Sequence, residues 1–264
     1  MTDVAPKNAV ILAAGSGSRL RPLTDLRPKP LVEVNGTPII LNTLRRLEAV
    51  GVESVTIVVG YRKDAIQYVC GARFGSVRID YIESSLFDQT GSAYSLWLAR
   101  DVLLGGDHYL LEGDVFFEQA VLDRFDQSEA SAVAAVAPFD ARMQGSAVLL
   151  SEAGFISGFR LKQSGADLSR NPALFKTLNL FRFSASTLRA TIVPGLDDII
   201  RSGATRSYTE ELLAYLIERR GLQLAAARCD HERWWEIDTA DDLRIANELF
   251  GEEHSTPRHD SPRT

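Results

Sequence analysis

Residues 9–34 read AVILAAGSGSRLRPLTDLRPKPLVEV: an unbroken apolar run, a glycine turn, then three arginines and a lysine set among prolines. The run NAVILAA (8–14) lacks the alternation of a half-exposed strand and predicts a strand buried on both faces, as in a parallel sheet. Gly15 and Gly17 follow at its carboxyl end, where glycine lets the backbone turn sharply and aim N–H groups inward. Arg19 adds a rigid fork of donors and Lys29 a mobile point charge, both suited to phosphate oxygens. Arg21 and Arg27 are read as solvent-facing. Pro22 and Pro28 restrict the loop, so less ordering entropy remains to be lost on binding.

Outward from this loop, strand-like and helix-like runs alternate. A helix is expected near residues 38–50, with Ile40, Leu44 and Leu47 at helical spacing and Gly51 as its stop. The strand SVTIVVG (54–60), a helix near 63–70 and the strand VRIDYIE (77–83) come next, then a helix over 92–104 and the strand HYLLEGDVFF (108–117). This rhythm predicts an α/β fold: a Rossmann-like, doubly wound, mainly parallel mixed sheet that places ligands beyond its strands' carboxyl ends. Shorter strands follow (SAVAAVAPF, GSAVLL, FISGFRL), then helices near 184–202 and 208–220. The last strand, WWEID, leads into a helix that Thr239 can cap, with Asp242 three residues later. No repeat or linker divides the chain. A single domain over 1–250 is expected, with a nucleotide-binding half (8–130), an acceptor-binding half (131–250) and a disordered tail (251–264).

The 264 residues carry a formal net charge of −6, with 45% hydrophobic and 24% charged residues. An acidic surface argues against non-specific nucleic-acid or anionic-membrane binding, which makes the opening cations a local exception. No run reaches the roughly 18 apolar residues of a membrane span, and the N-terminus lacks a signal peptide's apolar stretch, so a cytoplasmic location is expected. Cys70 and Cys229 fit neither a disulfide framework nor a zinc cluster and read as buried thiols. The oligomeric state stays open, a homodimer being possible.

Two motifs compete for the glycine loop and fail. A dinucleotide-binding G-x-G-x-x-G would need a third glycine where Leu20 stands, and the P-loop G-x-x-x-x-G-K-[ST] is absent. The full string L-A-A-G-x-G-S-R-L-x-P-L-T followed by P-K-P-L resembles instead the signature of the nucleotidyltransferases that make nucleoside-diphosphate sugars and alcohols. The resemblance implies that Leu12, Ala13, Ala14, Gly15, Gly17 and Arg19 hold the nucleotide and that Lys29 reaches the reacting phosphate.

A nucleoside triphosphate needs Mg2+, which takes one or two carboxylates and keeps waters and phosphate oxygens. Asp114, after a buried strand and a glycine, and WWEID supply candidates. Strand alternation puts Trp234, Glu236 and Asp238 on one face and Trp235 and Ile237 on the other. The resembled family has a metal-binding Asp in the first half and a second near the C-terminus, which Asp114 and Asp238 match; Glu236 is a weaker third ligand. Glu112 reads as an acceptor of a backbone or cation hydrogen bond. In DQTGSAYSLWLAR, the small residues Thr90, Gly91 and Ser92 let a flat ring approach exposed helix-start amides. Gln89 can bond a pyrimidine edge. The family binds its base in this region, which implicates Gln89, Gly91 and Ser92.

A closer resemblance runs from Val10 to about Phe250. YSLWLAR, LLEGDVFF, FKTLNLFRFS and WWEIDTADDL look like the cytidylyltransferases acting on phosphocholine and on phosphonates such as 2-aminoethylphosphonate. This implies CTP as donor, a small phosphate or phosphonate acceptor, and Lys176 on the acceptor phosphate. Asn179 would orient the acceptor or else make a buried strand hydrogen bond. Trp234, Tyr94 or Trp97 could cover a cationic headgroup, a contact worth about 0.5–2 kcal/mol, or belong to the core. Phosphocholine members often carry paired asparagines where this chain has Gly91-Ser92, which leaves the acceptor open. The rivals are a sugar- or inositol-phosphate nucleotidyltransferase using UTP, dTTP or CTP, a non-catalytic nucleotide-sugar sensor, and an NAD-dependent oxidoreductase.

Overall fold

A computed structural model describes residues 5–171 and 173–251. The tail expected at 251–264 lies outside them beyond Gly251. Strand β1 (Asn8–Ala13) is buried on both faces, as its apolar run requires: Ala9, Ile11 and Ala13 enter one core, while Val10 and Leu12 enter another. The chain continues through helix α1 (Ile39–Ala49), strand β2 (Ser54–Val59), helix α2 (Lys63–Cys70) and strand β3 (Val77–Glu83). Helix α3 (Ser92–Leu98) precedes strands β4 (His108–Glu112), β5 (Val115–Phe117), β6 (Ala132–Pro138), β7 (Gln144–Leu150), β8 (Ile156–Ser164) and β9 (Phe175–Phe183). Helices α4 (Val193–Arg201) and α5 (Thr209–Arg220), strands β10 (Ala225–Arg228) and β11 (Trp234–Glu236), and helix α6 (Ala240–Gly251) complete the order.

The main sheet has ten strands in the order β8-β7-β9-β4-β1-β2-β3, with Arg73–Phe74 at the far edge, β6 branching from β9 and β10 pairing in turn with β6. Pairings among β4, β1, β2 and β3 are parallel, and those of β7, β8 and β9 are antiparallel. The fold is thus the expected mixed, doubly wound α/β sheet. Ile40, Leu44 and Leu47 of α1 and Ile66 of α2 cover one face, while Leu96, Leu196, Leu212 and Leu216 from α3, α4 and α5 cover the other. Complete burial of each such aliphatic side chain contributes about 1.5–3 kcal/mol. A third core joins Leu20, Ile39, Phe116, Trp235, Ile237 and Ala246.

Several expected elements are interrupted. HYLLEGDVFF is two strands, because at Gly113 the chain turns out of the main sheet. The Gly113 N–H donates to the Leu12 carbonyl at 2.9 Å, and a Cβ on residue 113 would lie 2.9 Å from that same oxygen. The helix over 92–104 breaks at Ala99 and resumes as Arg100–Leu103. The helix over 184–202 contains a π turn, Leu188–Ile192, ahead of Pro194, which has no amide to continue the regular bonding pattern. WWEID is a strand only to Glu236.

Strand β9 changes partners along one edge, pairing first with β7 (Lys176 with Ala147) and then with β4 (Leu180 with Leu111). Its pairing with β6 on the other edge slips between Thr177 and Phe181. Asn179 sits at this changeover with φ of 54°. An irregularity of this kind re-aims a side chain out of the regular alternation. Cys70 and Cys229 are free and buried, and burial pushes both thiols up to about 12, far from a reactive thiolate.

Candidate active site

A cavity of about 680 Å³ opens at the carboxyl end of β1 and is lined by both halves of the chain. Leu12, Ala13, Ala14, Gly15, Gly17 and Arg19 line it. The backbone amides of Gly15, Ser16 and Gly17 donate to no acceptor among the described residues, which leaves a nest of N–H groups for an anion. The two glycines serve different needs. Gly17 has φ of 62°, and a Cβ there would lie 2.8 Å from the Lys29 Cβ. At Gly15 a Cβ would meet nothing within 4 Å, so the room beside it belongs to the cavity. Arg21 and Arg27 are exposed.

The two acids from distant parts of the chain converge. Strands β5 and β11 pair antiparallel, Glu236 opposite Val115, and the Ile237 N–H donates to the Asp114 carbonyl at 2.9 Å. Asp114 and Asp238 therefore flank adjacent ends of one ribbon. Lys29 Nζ lies between them, 2.7 Å from Asp114 Oδ2 and 2.6 Å from Asp238 Oδ1, and Arg19 reaches Asp238 Oδ1 at 2.8 Å. Burial pulls the Lys29 ammonium down, but the charges of Asp114 and Asp238 more than offset it and hold it above its ordinary value. Burial raises the Asp238 carboxyl, yet Lys29, with Arg19, brings it below the ordinary value. Both sides of the pair are thus charged at neutral pH.

Glu236 is not grouped with the two aspartates. It pairs with Lys176 at 2.7 Å, and Lys176 is 2% exposed. Burial lifts the Glu236 carboxyl to about 7, against the opposing pull of Lys176. Burial also lowers the Lys176 ammonium, and Glu236 reverses that and raises it. Gly145 makes this packing possible, since its φ is 110° and a Cβ would lie 2.8 Å from Lys176 Nζ. Among the described residues no group of three or more His, Cys, Asp and Glu side chains is gathered around a common metal position. Asp114 Oδ1 is nonetheless buried without a hydrogen-bond partner among the described residues, a bare carboxyl oxygen on the cavity wall. Two convergent carboxylates with one such oxygen fit a hard cation that completes its shell with water and phosphate.

The remaining predicted residues divide. Gly91 and Ser92 line the cavity, but the helix-start amides expected to be free are engaged by the second half of the chain. Gly91 N–H donates to the Thr205 carbonyl at 2.9 Å and Ala93 N–H to Ser207 at 3.1 Å, while Ser92 Oγ accepts from Thr209 N–H at 2.9 Å. A Cβ at Gly91 would fall 2.1 Å from the Ser207 carbonyl oxygen. Gln89 is exposed and does not line the cavity. Trp234, offered as a cover for the acceptor, takes the core alternative instead: it is 5% exposed, lies outside the cavity lining and belongs to the same buried cluster as Phe117, Val121 and Phe125. Tyr94 and Trp97 lie outside the cavity lining, with Trp97 donating to Asp197 at 2.9 Å and stacking under Arg100. Asn179 lines the cavity and donates to Glu210 Oε1 at 3.4 Å.

Sequence reasoning missed Glu210 and Ser146 and left Glu112 with a minor role; all three line the cavity. Burial pushes the Glu112 carboxyl well above the carboxylate range, and neighbouring Glu210, Asp114 and Glu236 add to it. In TEE at the start of α5, acids read simply as favourable to the helix dipole. Glu211 does cap the helix, accepting from Tyr208 N–H at 2.7 Å, whereas Glu210 turns inward with 8% exposure. Nothing in the local sequence separates the two.

The nucleotidyl transferase family model matches residues 8–144, just over half of the chain, and the chain belongs to that family. It is 35% identical over 249 residues to a CMP-5'-(3-aminopropyl)phosphonate synthase of Streptomyces rubellomurinus, a match spanning 94% of this chain and 39% of that protein. A 2-aminoethylphosphonate cytidylyltransferase of Lancefieldella rimae is 39% identical over 108 residues, 41% of this chain and 43% of the relative. The chain thus spans about two fifths of the length of these curated relatives. Among solved structures, the CTP:phosphocholine cytidylyltransferase of Streptococcus pneumoniae superposes with a TM-score of 0.77 at 22% identity, covering 92% of this chain and 98% of that one. At that identity the likeness shows the fold alone.

Proposed function

We propose that the chain transfers CMP from CTP to a small aminoalkylphosphonate with release of pyrophosphate. The observation that carries this reading is the meeting of the β1 glycine nest, Lys29, Asp114 and Asp238 in one cavity that also holds Lys176. Similarity over 94% of this chain to part of a CMP-5'-(3-aminopropyl)phosphonate synthase supports the choice of donor and acceptor.

In this reaction a phosphonate oxygen attacks the alpha phosphorus in line, one P–O bond forms, and the bond to the bridging oxygen of pyrophosphate breaks. A phosphonate oxygen is already anionic near neutrality, so no general base is needed. The chain's residues contribute positioning and charge. Free amides at 15–17 and Arg19 hold the triphosphate, Lys29 meets the reacting phosphate, and Lys176 the acceptor's anionic end. Displacement of Lys29 from its two carboxylates toward phosphate would free Asp114 and Asp238 to hold Mg2+. Bound there, the ion would neutralise phosphate charge. Residues 8–130 would then serve as the nucleotide half and 131–250 as the acceptor half.

The test is a panel of CTP, UTP, dTTP and ATP against 2-aminoethylphosphonate, 3-aminopropylphosphonate, phosphocholine, inositol phosphate and glucose 1-phosphate, read by pyrophosphate release with Mg2+. Release with CTP and an aminophosphonate is expected. Turnover confined to UTP or dTTP with a sugar phosphate would replace this reading, and nucleotide binding without turnover would favour a sensor.

A further inference from the structure

We infer that Glu210, with Glu112, forms an acidic subsite in the cavity that receives the primary ammonium of the acceptor. The inference rests on the aminophosphonate reading above and adds the residues that recognise the amine. Three of the cavity's cations are matched: Lys29 to Asp114 and Asp238, Arg19 to Asp238, and Lys176 to Glu236, while Lys162 and Arg206 also line the wall and pair with neither Glu112 nor Glu210 among the described residues. Glu112 and Glu210 line the same space with no ion-pair partner among the described residues. Glu112 Oε1 is fully buried and accepts no hydrogen bond. Glu210, 8% exposed, accepts through Oε1 from Ser146 Oγ at 2.9 Å and Asn179 Nδ2 at 3.4 Å. Those neutral donors orient the carboxylate without cancelling its charge, and its Oε2 has no donor among the described residues.

Lys176 and Lys29 act on Glu210 and Glu112 only from beyond ion-pair contact, and a buried acid with no cation in contact is costly, so a ligand that brings one is favoured here. The ligand chemistry follows from the donors missing. A primary ammonium carries three N–H donors and can satisfy the Glu210 carboxylate and the bare Glu112 oxygen together. A quaternary ammonium has none and is held by aromatic faces instead. Trp234 lies in the core, and Tyr94 and Trp97 lie outside the cavity lining. Of the aromatic side chains on the wall, Phe87 and Tyr208, the second is 59% exposed at the rim. The cavity is therefore built for a zwitterion: an anionic end at Lys176 and a hydrogen-bonding ammonium at Glu210.

Calorimetric titration of the full chain with three ligands tests this independently of turnover: 2-aminoethylphosphonate, its N,N,N-trimethyl analogue and ethylphosphonate. The native chain is expected to bind the primary amine about tenfold or more tightly than either analogue, the scale of a charge-assisted hydrogen bond. Glu210→Gln keeps the side-chain shape and should collapse that preference, so that the three affinities converge. Glu112→Gln is the second variant, read the same way if the first does not fold. Equal affinities in the native chain, or a preference that survives both substitutions, would overturn the subsite. A Glu210-dependent preference without pyrophosphate release from CTP would keep the subsite and remove the transfer reaction.

Discussion

At the scale of single residues, the two loop glycines separate folding from binding. Gly15 faces open cavity and adopts no left-handed backbone, whereas Gly17 has a positive φ and abuts Lys29. Gly15→Ala should fold with an unchanged melting temperature and lose CTP affinity by at least tenfold, measured by calorimetry. Gly17→Ala should lower stability by about 1 kcal/mol or more, because a Cβ strains that conformation and pushes on Lys29. The carboxylates offer a second residue-scale test. Asp114→Asn or Asp238→Asn leaves Lys29 one anionic partner, so the circular dichroism spectrum should be retained while pyrophosphate release falls by at least a hundredfold. Retained turnover in both variants would remove the pair from the chemistry.

The next scale is that of the elements, and here the start of α6 fixes the active-site acid. Asp242 Oδ2 accepts from Thr239 N–H at 2.8 Å, Thr239 Oγ1 at 2.7 Å and Asp238 N–H at 3.2 Å, while Oδ1 accepts from Trp235 Nε1 at 3.2 Å. This is the capping arrangement the TADD sequence predicts, extended backward onto the backbone of Asp238. Asp242→Ala should destabilise the chain by about 1–2 kcal/mol in urea denaturation and also lower the transfer rate. A structural cap alone would change only stability. Strand β9 teaches the complementary lesson. FKTLNLFRF reads as an ordinary buried strand, and Asn179 turns toward Glu210 where β9 passes from β7 to β4 along the same edge.

Across the whole molecule, stability is tied to pH through a group far from the chemistry. His108 is 1% exposed in β4, and burial lowers its pKa from the ordinary 6.5, with Gly106 and Asp107 opposing. The unfolded chain therefore binds a proton below about pH 6.5 that the folded chain refuses. The stability contributed by keeping this ring neutral is full above the unfolded pKa and is lost as pH falls through the folded pKa. Between pH 7 and 5, His108→Gln should lose less stability than the native chain, compared by thermal melts in matched buffers. No helix among the described residues is long and apolar enough to cross a membrane.

The sequence by itself determined the parallel half of the sheet, since a doubly buried strand must be continuously apolar and its helices must carry one apolar stripe. It also determined the glycine loop at the cavity, whose glycines, cations and prolines are local in the chain, and the α6 cap, which spans four residues. Only the tertiary structure decided which acids meet. Asp114 and Asp238 are joined by the β5–β11 ribbon, Glu236 is drawn off by Lys176, and Trp234 is taken into the core instead of the cavity. It likewise turned one of two adjacent glutamates, Glu210, inward. Local pattern records burial and turn geometry, but a charge's partner is chosen by contacts between segments distant in the chain, 85 residues for Lys29 and Asp114 and 209 for Lys29 and Asp238, which no local pattern encodes.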